Sequence, residues 1–302
     1  MAKTEKTTKL LARFGRLNSQ RANWENHWQE VADYMMPRKA NITKKRSRGD
    51  KRNELIFDSS PLQALELLAA SLHGMMTNPS TPWFTLKFKD ATMDQNDEAK
   101  LWLESVTADM YTAFNRSNFQ QEIFELYHDL ITFGTAAMYI EEDDEDLLKF
   151  STKHIAEIFI AEDDKGRIDT VYRKFTLSAR ALVQKFGNKV SQNIKVMSEK
   201  DPYQDVDILH CVYPRADFNP KLKDQENMPF ESVYLEMGSG DELSVSGFKE
   251  FPYVVPRYLK ASHEIYGRSP AMTALPDVKM LNEMSKTTIK AAQKQVDPPL
   301  LV

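Results

Sequence analysis

Ser269-Pro270-Ala271-Met272-Thr273-Ala274-Leu275-Pro276-Asp277-Val278-Lys279-Met280-Leu281-Asn282 opens the stretch that decides the fold. Serine ahead of proline is a helix cap followed by proline at the first helical position, where the missing N–H would have had no partner anyway. The helical pattern runs on to Val296, with a break expected at Pro276. Asp297-Pro298-Pro299 closes it. A helix of that length spans about 40 Å at about 1.5 Å per residue. Val278, Leu281, Ser285, Ile289, Ala292 and Val296 mark one face. Lys279, Lys286, Lys290 and Lys294, with Glu283 among them, share another face, within about one quadrant at about 100° per residue. On their own those lysines read as an ordinary solvated face with Glu283 pairing to Lys279 and Lys286. Leu300-Leu301-Val302 starts a new apolar segment with nothing after it, so the sequence reads as cut there.

Working back from this helix, the first third of the chain is helical and the middle is strand-rich. Leu10, Phe14, Leu17, Trp24, Trp28, Val31 and Met35 fall at steps of three, four and seven, a single apolar stripe that Pro37 ends. Ser60-Pro61 opens a second helix to about Met76, and further helices are expected over Asp97 to Asn115 and Phe119 to Phe133, with Gly134 as C-cap. Trp83 to Phe88 alternates and predicts a strand. Strands are expected at Ala136 to Ile140, Leu147 to Ser151, Ile155 to Ile160, Ile168 to Phe175, Val206 to Tyr213, Ser232 to Glu236 and Tyr253 to Leu259. A short helix, Ser178 to Phe186, interrupts them, and acidic and Gly-containing turns link them. The fold class is therefore α+β, rich in helix.

At 302 residues, 41% hydrophobic and 28% charged, the chain is long enough for one large or two ordinary domains with real cores. Its longest apolar runs, such as Phe133 to Ile140, are far too short to cross a bilayer. The polar start leads into no secretory core, so a cytosolic chain is the simple reading. Cys211 is the sole cysteine, which excludes an intrachain disulfide and a cysteine metal cage. Net charge is −4 but unevenly placed. From Arg38 to Arg52 eight cations (Arg38, Lys39, Lys44, Lys45, Arg46, Arg48, Lys51, Arg52) stand against one acid, whereas Glu141 to Asp146 is six consecutive acids. Separated charge of this kind suits a protein with different faces for different partners.

No catalytic or cofactor motif is present: no Walker A loop, GxGxxG, HExxH or GxSxG. The six histidines are scattered. His128-Asp129 are helix neighbours that point apart, and His210-Cys211 are strand neighbours on opposite faces. The acidic run lacks the glycine and alternate spacing of a calcium loop and reads as a solvated turn. The basic stretch, expected as an exposed loop, could track phosphates, but no aromatic interleaves to stack on bases. No metal, cofactor or catalytic residue is expected.

Several segments in order resemble the portal, or head-to-tail connecting, proteins of short-tailed bacteriophages. They are Trp24, Trp28, Tyr34 and Pro37; Asp58-Ser59-Ser60-Pro61; Met76-Thr77-Asn78-Pro79 running into Trp83-Phe84; and Phe133-Gly134-Thr135-Ala136-Ala137. Then come Ile265-Tyr266-Gly267-Arg268-Ser269-Pro270-Ala271-Met272, Leu275-Pro276-Asp277-Val278-Lys279, Leu281-Asn282 and Val296-Asp297-Pro298-Pro299. The resemblance implies a non-enzymatic subunit of a dodecameric ring at a capsid vertex of the virion, assembled in the host cytoplasm. It implies terminase, capsid protein and tail adaptor proteins as partners, and double-stranded DNA passing through the channel, with no membrane. By analogy residues 1–262 are a wing (helical 1–133, strand-rich 134–262), 263–297 the first stem helix and 298–302 the start of a clip, with second stem helix and crown absent. Lys279, Lys286, Lys290 and Lys294 then become candidates to approach the DNA channel or an adjacent stem. The competing expectation is a stand-alone nucleic-acid-binding module using 38–52; a hydrolase using the acidic run is weaker still, since no nucleophile or base accompanies it.

Overall fold

The computed structural model describes residues 5–44, 47, 49–89, 96–219, 221–222 and 224–296. In chain order the elements are α1 (Glu5–Met35), α2 (Ser60–Met76), α3 (Asp97–Arg116), α4 (Phe119–Phe133), β1 (Ala137–Asp143) and β2 (Leu147–Lys153). They continue as β3 (Ile158–Glu162), β4 (Ile168–Ser178), α5 (Ala179–Phe186), α6 (Gln192–Lys200), β5 (Asp205–Pro214), β6 (Phe230–Glu236), β7 (Glu242–Phe248), β8 (Tyr253–Val254) and α7 (Pro270–Val296). This is the expected α+β class. The chain divides into two compact units, Met1–Glu25 with Ala156–Tyr253, and Asn26–Ile155 with Val254–Val302.

The first unit is built on a five-stranded antiparallel meander, β3-β4-β5-β6-β7. Its register puts Tyr172, Cys211 and Val233 side by side across three strands. With Phe159, Leu209, Tyr213 and Leu235 they form the face on which Leu10 and Phe14 of α1 pack. Residues one step along the strands point the other way. Ile208 and Leu243 thus meet Leu182 of α5 and Ile194 of α6. Arg21, 3% exposed, lies over the Phe159 ring at 3.8 Å and donates to the carbonyls of Ile158 (2.6 Å) and Ala156 (2.8 Å) while pairing with Glu25. His210 and Cys211 do face opposite ways: His210 stacks on Tyr234 at 4.0 Å, and Cys211 enters the other core.

The second unit turns on a junction between the end of α4 and the approach to α7. Trp28, fully buried, donates from Nε1 to the Phe133 carbonyl at 3.1 Å and sets its ring edge-on to Tyr266 at 5.0 Å. Gly134 closes α4 with φ 75°, the left-handed C-cap expected from the sequence. A Cβ at Gly134 would lie 2.3 Å from the Gly267 carbonyl oxygen, and one at Gly267 2.4 Å from that of Gly134. The two backbones therefore touch because neither residue has a side chain. Thr135 Oγ1 accepts from the Gly267 amide at 2.8 Å. Ser269 Oγ donates to the Thr132 carbonyl at 2.8 Å and caps α7 by accepting from the Met272 amide at 3.0 Å.

Several expectations change. α7 runs unbroken through Pro276. A proline in mid-helix removes one backbone donor, and here the Ser269 cap and the buried Met272, Leu275 and Val278 hold the turns on either side. Trp83 to Phe88 is not a strand: Tyr111 Oη accepts from the amides of Trp83 and Phe84 (2.6 Å each) and donates to the Phe84 carbonyl, replacing a strand partner. The rings join a cluster with Phe114, Phe119 and Phe150 instead. Ile155 to Glu157 is a 3-10 turn ahead of β3, and the strand expected to Leu259 shrinks to Tyr253–Val254 because Pro256 cannot continue a ladder. α6 and β7 were not expected; α6 has a serine cap but a single buried residue, Ile194. The acidic run is split: Glu141, Glu142 and Asp143 end β1, and Asp144, Glu145 and Asp146 form the turn of the β1–β2 hairpin.

Gly134→Ala must relieve both a left-handed φ and a backbone overlap, so it is expected to lower stability by about 3 kcal/mol. Gly74→Ala, with nothing within 4 Å of its Cβ, is the control and should be neutral or mildly stabilising. Urea unfolding of both variants checks this, and equal midpoints would refute the close approach.

Candidate functional site

α7 is two helices in one. Ala271, Met272, Leu275, Val278 and Asn282 are buried, whereas all ten residues 287–296 are exposed. Asn282, 7% exposed, accepts at Oδ1 from the amides of Phe57 (2.7 Å) and Asp58 (3.3 Å) and donates from Nδ2 to the Leu55 carbonyl at 2.8 Å. Ser285 Oγ donates to Asp58, which also accepts from the Ser60 amide at the start of α2. Beyond Ser285 no described residue covers the apolar face, and Ile289 and Val296 are 45% and 87% exposed. α2 likewise leaves Leu67 (70%) and Met75 (76%) uncovered, and α3 has no buried residue among its twenty.

The four lysines of α7 are not equivalent. Lys279 pairs with Glu30 of α1, not with Glu283, and that partner holds its ammonium above the usual lysine range. Lys286 pairs with Glu283 at 3.2 Å and lies 5.7 Å over the Phe57 ring. Lys290 and Lys294, one turn apart, have no partner among the described residues.

The basic stretch is largely tied down. Arg38 pairs with Glu125 at 2.7 Å, and Lys39 with Glu125 (2.9 Å) and Asp129 (2.5 Å) of α4. Lys44 reaches Asp33 at 2.7 Å, and Arg52 donates to the Arg38 carbonyl. Lys51 also interacts within the chain. Lys45, Arg46 and Arg48 lie outside the described residues. The described residues from Thr43 to Lys51 form the exposed loop expected, but its start is anchored: Met36 and Ala40 are buried, and Gln29 Oε1 accepts from the amides of Ile42 and Thr43 at 2.9 Å while its Nε2 donates to the Ala40 carbonyl. Gln29 carried no signal beyond its place beside the α1 stripe. His128 and Asp129 point to separate partners, Glu66 and Lys39. Burial pulls His128 below the ordinary histidine range and pushes Asp129 up, against the pull of Lys39.

Among the described residues no helix is long and apolar enough to cross a membrane. What the geometry presents is a long helix rooted at one end and bare at the other. The model of a family described as bacteriophage head to tail connecting protein matches residues 7–302. The chain belongs to that family. The chain is 34% identical over 305 residues to the probable portal protein of Bordetella phage BPP-1, covering 99% of this chain and 55% of that protein. It is 35% identical over 307 residues to the portal protein of Salmonella phage epsilon15, covering 100% and 55% respectively. The chain thus spans about half the length of these relatives. A stand-alone nucleic-acid module on residues 38–52 is not supported, because the match runs along the whole chain and the described loop cations are engaged within it.

The Glu125 contacts carry a pH signature. Burial raises its carboxyl, but hydrogen bonds and charge from Arg38 and Lys39 outweigh it and lower the group from 4.5 to about 2. A lowered carboxylate stabilises the fold fully above its unfolded value and loses that contribution as pH falls toward the folded one. With the side chain 36% exposed, solvent screening limits the contribution to about 1 kcal/mol. The stability difference between wild type and Glu125→Gln should be about 1 kcal/mol above pH 4.5 and vanish near pH 2. Denaturant titrations across that range test it, and a pH-independent difference would contradict the pairing.

Proposed function

We propose that the chain is a structural, non-enzymatic subunit of a phage portal ring, the channel at one capsid vertex through which DNA is packaged and ejected and to which the tail is joined. The family match across residues 7–302 carries this reading. α7 supports it, because a helix with ten bare residues and an uncovered strip of Ile289, Ala292 and Val296 is poorly suited to a lone chain. Copies related by rotation cover such strips with one another, and each Ile or Val fully buried contributes about 1.5–3 kcal/mol. The proposed division is wing 1–262, stem helix 263–297 and clip from 298. The ring is proposed to be dodecameric, virion-borne and assembled in the host cytoplasm, with terminase, capsid protein and tail adaptor proteins as partners.

Double-stranded DNA in the lumen presents phosphates, and lysines without internal partners are the ones able to approach them. That favours Lys290 and Lys294 over Lys279 and Lys286, which hold acids of their own chain.

Electron microscopy of the purified protein should show rings with a central channel, and a uniform monomer would count against the proposal. A Lys290→Gln/Lys294→Gln variant should form normal rings yet package DNA several-fold less well. Normal rings with wild-type packaging would remove these two lysines from the channel.

A further inference from the structure

The first unit holds a cavity of about 910 Å³ against the N-terminal turns of α1, within the size range of small-molecule sites. Its wall carries Lys6, Lys9 and Arg13 from successive turns of α1, and Tyr213, Arg215 and Glu231 from β5, the chain just after it and β6. The buried centre of this wall is short of anionic acceptors. The Arg215 side chain is 7% exposed, its Nη2 lies 3.4 Å from Glu231, and its Nη1 is buried with no hydrogen-bond partner among the described residues. Arg13 lies over the Tyr213 ring at 5.7 Å and has no carboxylate partner among the described residues. Glu231, 13% exposed, serves three donors at once: Lys6 Nζ at 2.5 Å, Tyr213 Oη at 2.8 Å and Arg215. Burial raises the Glu231 carboxyl, but these donors outweigh it and hold it below the usual range. The other two acids of the wall, Glu5 and Asp217, are exposed, and the Glu5–Lys9 pair between side chains 84% and 68% exposed neutralises little.

A buried guanidinium with a free N–H is costly unless an acceptor completes it. Its planar fork matches a tetrahedral oxyanion or a carboxylate, and charge-assisted bonds of this type are the strong ones. Glu231 already answers part of that demand as a resident carboxylate, while Arg215 Nη1 remains to be answered, with the exposed Arg13 beside it on the wall. We infer that this cavity is a phosphate site, in which a phosphate group, free or carried on a larger molecule, takes Arg215 Nη1 with Arg13 and Lys6 and competes with Glu231 for them. The site uses no residue of α7 and stands independently of the ring reading.

Titration calorimetry of the intact chain with inorganic phosphate, at fixed ionic strength in chloride, tests this. Saturable binding is expected, lost in Arg215→Gln and reduced in Arg13→Gln. Glu231→Gln keeps the shape but removes the competing charge, so it should tighten phosphate binding about tenfold. A misfolded variant could not produce that gain. A nucleoside 5′-monophosphate separates the two sources: tighter binding than phosphate indicates a carried group, equal binding a free one. Absence of saturable binding in both wild type and Glu231→Gln overturns the site, as does wild-type affinity in Arg215→Gln.

Discussion

Two glycine backbones in contact set the geometry of the second unit. Gly134 ends α4 and Gly267 precedes α7, and each leaves its Cβ position to the carbonyl of the other. Around that contact the polar groups are closed off in both directions: Thr135 accepts the Gly267 amide, and Ser269 donates to Thr132 while capping α7. Trp28 covers the contact, its N–H on the Phe133 carbonyl and its ring against Tyr266. Buried backbone groups must find partners, and here three chain segments far apart in sequence supply them to one another. The direction in which α7 leaves α4 follows from this contact.

A fixed root explains the division of α7. Its first turns are held by the junction and by apolar residues down to Val278, and Asn282 then ties it to the backbone of 55–58. Past Ser285 the described residues offer no cover. Ten free helical residues, about 15 Å, are marginal alone in water. The proposed ring of identical chains is one arrangement that would cover them.

The junction was legible in the sequence as motif but not as contact. Gly134 stood out as a helix C-cap and Ser269-Pro270 as a helix start, and both roles hold. That Gly267 would press on Gly134 could not be read, because such a contact spans more than a hundred residues and leaves no periodicity. Asn282 offered a weak local signal, a polar residue four places after Val278 on the apolar side of the helix. The basic stretch is the exposed loop its charge suggested over most of its described length, but its ion pairs were not legible, because the acids Asp33, Glu125 and Asp129 come from helices distant in sequence or outside the run. Trp83 to Phe88 alternates as a strand does, yet a strand needs a partner, and Tyr111 took the amides instead. β7, with Ser244, Ser246 and Gly247, was too polar to announce itself.

The central observation is that α7 is rooted at one end and bare at the other, and the proposal is that other copies of the chain cover the bare end. Amide hydrogen exchange along α7, compared between isolated and assembled chains, tests it most directly. Residues 272–282 should exchange slowly in both states, and 287–296 should exchange quickly in the isolated chain and slowly on assembly. Equal protection of 287–296 in both states would contradict the account.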